Sequence, residues 1–259
     1  MDAAETLPIM TMKGETATIT LNRPRHLNRL QPEDIAWLLD CFATLAGSRD
    51  VRVVILTGMG RVFSAGFDLN ELAAGNVGDA QDGPGGFGAM VDALERLPQP
   101  TIARLNGGVY GGATDLALAC DFRVGIDSME LVMPAAKLGL HYYRSGIVRF
   151  ASRLGIDTAK KLFLTGEKIA AAELLNIGYL TLMVSVGYLD SAVDELAETL
   201  ASNAPLAVQG VKLALNEIAR GEFDVEIFTQ RANRALASAD LREGIAAIRA
   251  RRRAMFTGD

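Results

Sequence analysis

The sequence predicts an α/β fold, with a core of alternating strands and helices and a helical C-terminal part. Up to about residue 135, short β-branched runs alternate with stretches whose apolar residues have helical spacing. From residue 145 onward the spacing is helical almost throughout. The chain has 259 residues, 49% of them hydrophobic, which is enough for one large domain or for a domain with a helical appendage. We expect a core over residues 1–200 and a helical region over residues 201–259.

The first elements have clear boundaries. Residues 17–21 (ATITL) alternate between apolar and polar and predict a strand. Residues 32–46 have apolar side chains at helical spacing, with Pro32 suited to a first turn and Gly47 to a C-terminal cap. Residues 51–57 (VRVVILT) are rich in β-branched side chains and predict a buried strand.

The next elements lead to a stretch rich in glycine. Residues 61–72 (RVFSAGFDLNEL) predict an extended piece that breaks at Gly66 and continues into a helix. Residues 73–88 are rich in glycine and alanine and predict a mobile loop. Residues 90–97 then predict a helix that two prolines end.

Residues 105–121 (LNGGVYGGATDLALACD) carry the first functional signal. A strand, four glycines and the start of a helix follow one another, and this arrangement leaves backbone N–H groups able to bind a negatively charged oxygen. Asp115 lies in the first turn of the predicted helix. Alone, the pattern also fits a tight turn whose glycines only allow close packing.

A second glycine turn, residues 64–68 (SAGFD), also follows a predicted buried strand. Two such turns at one edge of a core can each direct one N–H group to a shared point, which forms an oxyanion hole. A thioester carbonyl that becomes an enolate would suit such a site.

After residue 121 the sequence predicts short strands at 122–126 and 130–133. Helices are predicted at 145–153, 157–164, 170–177, 188–202, 205–220, 224–238 and 240–254.

Composition excludes several classes of function. The net charge of −5 and a pI near 5.2 argue against a nucleic-acid surface, despite a basic cluster at residues 249–253. Cys41 and Cys120 show no metal-ligand spacing, and with only two histidines no metal site is expected. The N-terminal residues contain neither a signal peptide nor a membrane span, so we expect no membrane partner and a cytoplasmic location.

Six blocks are spread over nearly the whole chain: residues 21–30, 61–72, 106–121, 137–140, 160–180 and REGIAAIRARRRAMF near the end. In order and spacing these blocks resemble the enoyl-CoA hydratase/isomerase (crotonase) superfamily. This resemblance implies a ClpP/crotonase spiral of ββα units, with C-terminal helices that form a homotrimer or a dimer of trimers.

The resemblance also implies the site residues. The oxyanion donors would be the N–H groups of Phe67 and Gly112, and CoA would be part of the substrate rather than a cofactor. An arginine fork suits phosphate oxygens, which favours Arg25 as a phosphate contact, although a solvated loop charge is the alternative. Arg251 would reach CoA from the end of the chain, or else stabilise a helix C-terminus. The full set of expected substrate or CoA contacts is Arg23, Arg25, Leu27, Ser64, Ala65, Asp68, Gly111 and Arg251.

The sequence departs from the hydratases of this family at both catalytic glutamates. The first position carries Asp115 and the second carries Ala135, which is neither an acid nor a base. Hydration by two carboxylates is therefore in doubt, but one carboxylate can still act as a general base. Isomerisation needs one shuttling base, and decarboxylation of a malonyl-type thioester forms the enolate without one.

Residues 136–147 (AKLGLHYYRSGI) resemble the methylmalonyl-CoA decarboxylase branch, which has a tyrosine at the position of Tyr142. A phenol there could hydrogen-bond a substrate carboxylate or donate a proton. His141 could titrate in the site or be structural, and Tyr143 and Arg144 receive no role. The leading hypothesis is an acyl-CoA-transforming enzyme that stabilises a thioester enolate. A decarboxylase and a catalytically silent CoA-binding oligomer are the alternatives.

Overall fold

The computed structural model describes residues 7–73 and 85–259. Over these ranges the strands form one six-stranded and one three-stranded sheet. The larger sheet has the order β1 (Ile9–Lys13), β2 (Thr16–Leu21), β3 (Val53–Gly58), β4 (Thr101–Leu105), β6 (Phe122–Ile126) and β9 (Leu182–Val184). The smaller sheet has the order β5 (Val109–Tyr110), β7 (Glu130–Val132) and β8 (Lys168–Ala170).

The helices connect these strands and then continue alone to the C-terminal end. They are α1 (Pro32–Ala46), α2 (Leu69–Ala73), α3 (Phe87–Glu95), α4 (Ala113–Ala119), α5 (Arg144–Leu154), α6 (Ile156–Lys160), α7 (Ala171–Asn176), α8 (Leu189–Ala201), α9 (Pro205–Arg220), α10 (Val225–Ala237) and α11 (Ala239–Ala250). A π-helical turn, Lys161–Thr165, follows α6.

The larger sheet is parallel except for its first pair. β1 and β2 are antiparallel, whereas β2, β3, β4, β6 and β9 run parallel to their neighbours. All six residues of β3 are buried, as expected for a strand covered on both faces. The predicted buried strand at residues 51–57 is thereby confirmed, and the core lies around this sheet.

Several helix predictions are confirmed closely. Helix α1 begins at Pro32 and ends at Ala46, and Gly47 is its C-cap. At its N-terminus, Gln31 and Asp34 form a capping box that satisfies backbone N–H groups. Helix α9 likewise spans the predicted residues, Pro205–Arg220.

Two strands lie where the sequence predicts helix almost throughout. β8 and β9 have three residues each and take their hydrogen bonds from β7 and β6, which are distant in sequence. Such short segments contain too few residues for alternation to be visible. The pairing of β1 with β2 was also not predicted. The loop predicted at residues 73–88 falls mostly outside the described residues, and α3 begins inside its last positions.

The C-terminal helices leave large apolar side chains exposed. The most exposed of them include Leu215, Leu236 and Ile248, of which Ile248 is 80% exposed. Helix α8 ends at Ala201, but a domain boundary at residue 200 stays a prediction. Over the described ranges, none of the helices has the length and apolar character needed to cross a bilayer.

Candidate active site

A cavity of about 250 Å³ lies where the two glycine turns meet the smaller sheet. Its walls are mostly apolar and aromatic, and three of the lining residues are tyrosines. No aspartate, glutamate or histidine is among the described residues that line it. The lining residues are Ala65, Phe67, Leu69, Phe87, Tyr110, Gly111, Gly112, Met133, Pro134, Ala135, Leu138, Leu140, Tyr142 and Tyr143.

The two glycine turns run side by side in parallel register. Ser64 pairs with Val109, and the Tyr110 N–H donates to the Ser64 carbonyl oxygen at 3.0 Å. Three positions further along each turn lie Phe67 and Gly112, which both line the cavity. The structure therefore brings together the two residues that the sequence predicts as oxyanion donors.

Gly66 is the position that allows this close approach. Its φ is +83°, and a Cβ atom added there would lie 2.6 Å from the Gly112 nitrogen and 2.7 Å from the Tyr110 oxygen. Both neighbouring atoms are backbone, so no side chain can move aside. Within residues 7–73 and 85–259, neither the Phe67 N–H nor the Gly112 N–H donates to a protein acceptor.

The loop that carries Arg23 and Leu27 is fastened to the first glycine turn. The Ala65 N–H donates to the Leu27 oxygen at 2.7 Å, and the Ser64 hydroxyl donates to the Asn28 oxygen at 2.7 Å. Leu27 and Asn28 both have left-handed φ values, 53° and 52°. Three of the expected CoA contacts, Leu27, Ser64 and Ala65, are therefore neighbours.

Two other expected CoA contacts are engaged in ion pairs within the protein. The Arg23 guanidinium binds both carboxylate oxygens of Asp34, at 2.8 and 3.2 Å. Asp68 is buried, accepts the Asn70 N–H at 3.0 Å, and lies 3.1 Å from the Arg29 guanidinium. These contacts stabilise the loop and the start of α2.

The remaining expected CoA contacts are spread over the chain. Gly111 lines the cavity, has a φ of +54° and donates its N–H to the Val132 oxygen at 2.9 Å. Arg25 is exposed on the short 3₁₀ turn Pro24–His26. Arg251 is exposed at the C-terminal end of α11, with a φ of 51°, and no contact joins it to the cavity within the described parts of the chain.

Asp115 is completely buried in α4 and does not line the cavity. Its Oδ2 atom accepts hydrogen bonds from the Tyr143 hydroxyl and from the Arg149 guanidinium. Its Oδ1 atom is buried and has no hydrogen-bond partner in the described structure. The predicted carboxylate therefore lies behind the cavity wall, and Tyr143 is the lining residue that contacts it.

Arg149 links Asp115 to a buried cluster of charges. Its guanidinium also binds Glu95 at 3.0 Å and Asp92 at 2.6 Å. Burial lowers the pKa of Arg149, but the charges of Asp115 and Glu95 outweigh burial and raise this pKa well above its ordinary value. Arg149 therefore stays charged, and it fixes the Asp115 carboxylate in place.

The tyrosines at 142 and 143 form the aromatic wall of the cavity. Their ring centroids lie 4.5 Å apart, and Phe87 packs against Tyr143 at 6.0 Å. The Tyr142 hydroxyl is buried and makes no hydrogen bond to the described protein. Ala135 also lines the cavity, while His141 is exposed and outside it.

Tyr143, Arg149 and Glu95 were not predicted from the sequence. Arg149 follows Asp115 by 34 positions, and Glu95 precedes Arg149 by 54, so no local spacing connects them. The sequence offered only a weak signal, because Tyr143 and Arg149 are about 1.7 helical turns apart and therefore do not share a face of α5. The arrangement depends on tertiary packing.

A family model described as enoyl-CoA hydratase/isomerase matches residues 11–259. The chain belongs to the enoyl-CoA hydratase/isomerase family. Carnitinyl-CoA dehydratase of Salmonella paratyphi B is 35% identical to this chain over 204 residues, which cover 78% of this chain and 77% of that protein.

Solved structures of the enoyl-CoA hydratase/isomerase family share the fold. An enoyl-CoA hydratase from Bacillus anthracis has a TM-score of 0.88 and 32% identity, covering 98% of this chain and all of that one. An enoyl-CoA hydratase/carnithine racemase from Magnetospirillum magneticum has a TM-score of 0.90 and 27% identity, covering 98% of this chain and 96% of that one. The crotonase-like α/β fold that the sequence predicts is confirmed.

Proposed function

We propose that this chain binds an acyl-CoA thioester and stabilises its enolate with the N–H groups of Phe67 and Gly112. The observation that carries the proposal is the parallel register of the two glycine turns, which sets both residues at the cavity with N–H groups that the described protein leaves unused. Each preorganised donor in such a site is worth about 3 kcal/mol in the transition state.

The CoA moiety would lie along the Arg23 to Leu27 loop. The loop is fastened to Ser64 and Ala65, so a thioester held at the glycine turns could extend its pantetheine and nucleotide along this surface. Arg25 is exposed and suits a phosphate, whereas the Arg23 guanidinium is engaged by Asp34. CoA enters as part of the substrate, and the chemistry we propose uses no separate cofactor.

The reaction that we favour forms an enolate and does not use a pair of catalytic carboxylates. The related carnitinyl-CoA dehydratase supports chemistry on an acyl-CoA, but the present cavity has Ala135 where a second acid would be needed. Decarboxylation of a malonyl-type thioester is the second candidate. An apolar wall with phenols from Tyr142 and Tyr143 and no lining carboxylate favours it, because loss of CO2 forms the enolate without a base.

We also propose that the protein is a homotrimer or a dimer of trimers. Large apolar side chains on α9 to α11 are exposed in the single chain, including Leu215, Leu236 and Ile248. Clusters of exposed apolar residues of this kind are typical of subunit interfaces. The proposed assembly would bury them against neighbouring copies.

The proposal is tested with three substrates and two variants. Crotonyl-CoA, a 3-enoyl-CoA and methylmalonyl-CoA are incubated with the protein while thioester absorbance and CO2 are followed, which separates hydration, isomerisation and decarboxylation. Gly112→Pro removes the donor N–H, and the φ of −57° at this position suits proline. We expect it to lower turnover about 100-fold.

Gly112→Ala is the matched control, because it keeps the N–H group and adds a Cβ atom 2.8 Å from the tip of the Phe87 ring. This ring can shift, so Gly112→Ala should lose much less activity than Gly112→Pro. Equal turnover in wild type and Gly112→Pro would reject the donor assignment. Binding of CoA esters without any turnover would favour a catalytically silent CoA-binding oligomer.

A further inference from the structure

Tyr143 connects the cavity to a carboxylate that the cavity does not reach. It is buried, it lines the cavity, and its hydroxyl donates to Asp115 Oδ2. Asp115 is completely buried and is not a lining residue. In the described chain, Tyr143 is the cavity-lining side chain that hydrogen-bonds to Asp115, so it joins the wall of the cavity to this carboxylate.

The Asp115 carboxylate is fixed in position by hydrogen bonds to one of its two oxygens. Arg149 binds the same Oδ2 atom that accepts the Tyr143 hydroxyl. The Oδ1 atom is buried without a partner. A buried polar atom without a hydrogen bond costs free energy and is unusual in a folded protein. A proton from the Tyr143 hydroxyl would arrive on Oδ2, along the hydrogen bond that already joins the two groups.

We propose that Tyr143 is the catalytic residue that exchanges a proton with the acyl group, and that Asp115, held by Arg149, receives the proton of the phenol. The inference rests on the proposed function. The C–H bond next to the thioester carbonyl breaks, and its electron pair forms the enolate at the Phe67 and Gly112 N–H groups. The substrate proton moves to the Tyr143 oxygen as the phenolic proton moves to Asp115. The reverse transfers return a proton to carbon.

The charges around the phenol require the two transfers to be coupled. Burial raises the pKa of Tyr143 well above its ordinary value, and the negative charge of Asp115 raises it further. A free tyrosinate beside this carboxylate is therefore unfavourable. If the phenolic proton leaves as the substrate proton arrives, the oxygen never carries a full charge.

Exchange of substrate protons with solvent tests the relay without knowledge of the overall reaction. Butyryl-CoA is incubated with the full-length protein in D2O, and loss of the C2 proton signal is followed by NMR. We expect Tyr143→Phe to lower the exchange rate about 100-fold or more, the usual contribution of one acid–base group. Binding of butyryl-CoA should remain, because the variant removes only one oxygen atom.

Tyr179→Phe is the matched control. Tyr179 is also completely buried, and its hydroxyl donates to the Thr114 carbonyl oxygen at 2.8 Å, one residue before Asp115. It does not line the cavity. The control therefore removes a similar buried phenol from the same helix environment, and its exchange rate should stay near that of wild type. Circular dichroism of each variant reports whether the fold is kept.

A double-mutant cycle separates the relay from a structural role of Asp115. Asp115→Asn alone should lower exchange about 100-fold, as for Tyr143→Phe, and the double variant should be no slower than either single variant. If the two single losses multiply in the double variant, the relay is overturned, since Asp115 would then act independently of the phenol. If wild type exchanges its substrate proton and Tyr143→Phe does so at the same rate, the relay would also be overturned. Absence of exchange in wild type would contradict the relay, and only if none of the three CoA substrates were turned over would it contradict the enolate function as well.

Discussion

Gly66→Ala tests how closely the two glycine turns approach each other. The added Cβ atom would lie 2.6 Å from the Gly112 nitrogen and 2.7 Å from the Tyr110 oxygen, and both are backbone atoms that cannot rotate away. In addition, the left-handed φ of +83° costs a non-glycine residue about 1–2 kcal/mol. Overpacking of a rigid contact costs about 1–3 kcal/mol, so we expect a total loss of about 2–5 kcal/mol.

The assay compares Gly66→Ala with Gly155→Ala by urea denaturation at matched protein concentration. Gly155 has nearly the same φ, +82°, but no atom lies within 4 Å of its added Cβ. The control therefore carries the strain of a positive φ without the clash, and a larger loss in Gly66→Ala than in Gly155→Ala reports the contact between the turns. Gly66→Ala should also lose most turnover, because relief of the clash moves Gly112. Equal midpoints for the two variants would refute the close approach.

Two further predictions concern the cavity wall and the charge cluster behind it. Tyr142→Phe removes a buried hydroxyl without a hydrogen-bond partner, so the free energy of unfolding without ligand should rise by up to about 1 kcal/mol; a clear loss of stability in urea would contradict this. For Glu95, burial raises the pKa, but Arg149, Arg153 and Arg220 outweigh it and lower this pKa below its ordinary value of 4.5. The stabilisation from Glu95 is therefore present above pH 4.5 and is lost as the pH falls through the folded-state pKa. Glu95→Gln should lower stability at pH 7 and flatten its decline below pH 4.5 in urea titrations, and an unchanged slope would show that Glu95 does not drive the decline.

Local patterns in the sequence were sufficient to predict the elements that carry the proposed donors. A β-branched run, a glycine turn and a helix start are visible around Gly66 and again around Gly112, because each depends on neighbouring residues. The pairing of Ser64 with Val109, which brings the two turns together, is a contact between distant segments. The family resemblance, rather than periodicity, was needed to expect it.

The surroundings of Asp115 show why the rest of the site was out of reach. Its position in the first turn of α4 is visible in the sequence. Its burial behind Tyr143 is not, since this depends on how α4 packs against α5. Arg23 is a similar case, because its pairing with Asp34 is set by the path of the loop before α1. A side chain such as an arginine can bind either a ligand or another residue of the same chain, so its role is assigned only when the tertiary contacts are known.

The most direct test of the account is a crystal structure of the protein with an unreactive acyl-CoA analogue whose thioester oxygen is intact. We predict that this oxygen lies within about 3.1 Å of both the Phe67 and the Gly112 nitrogen, the separation expected of an oxyanion hole. A well-ordered thioester whose oxygen contacts neither nitrogen would contradict the central claim.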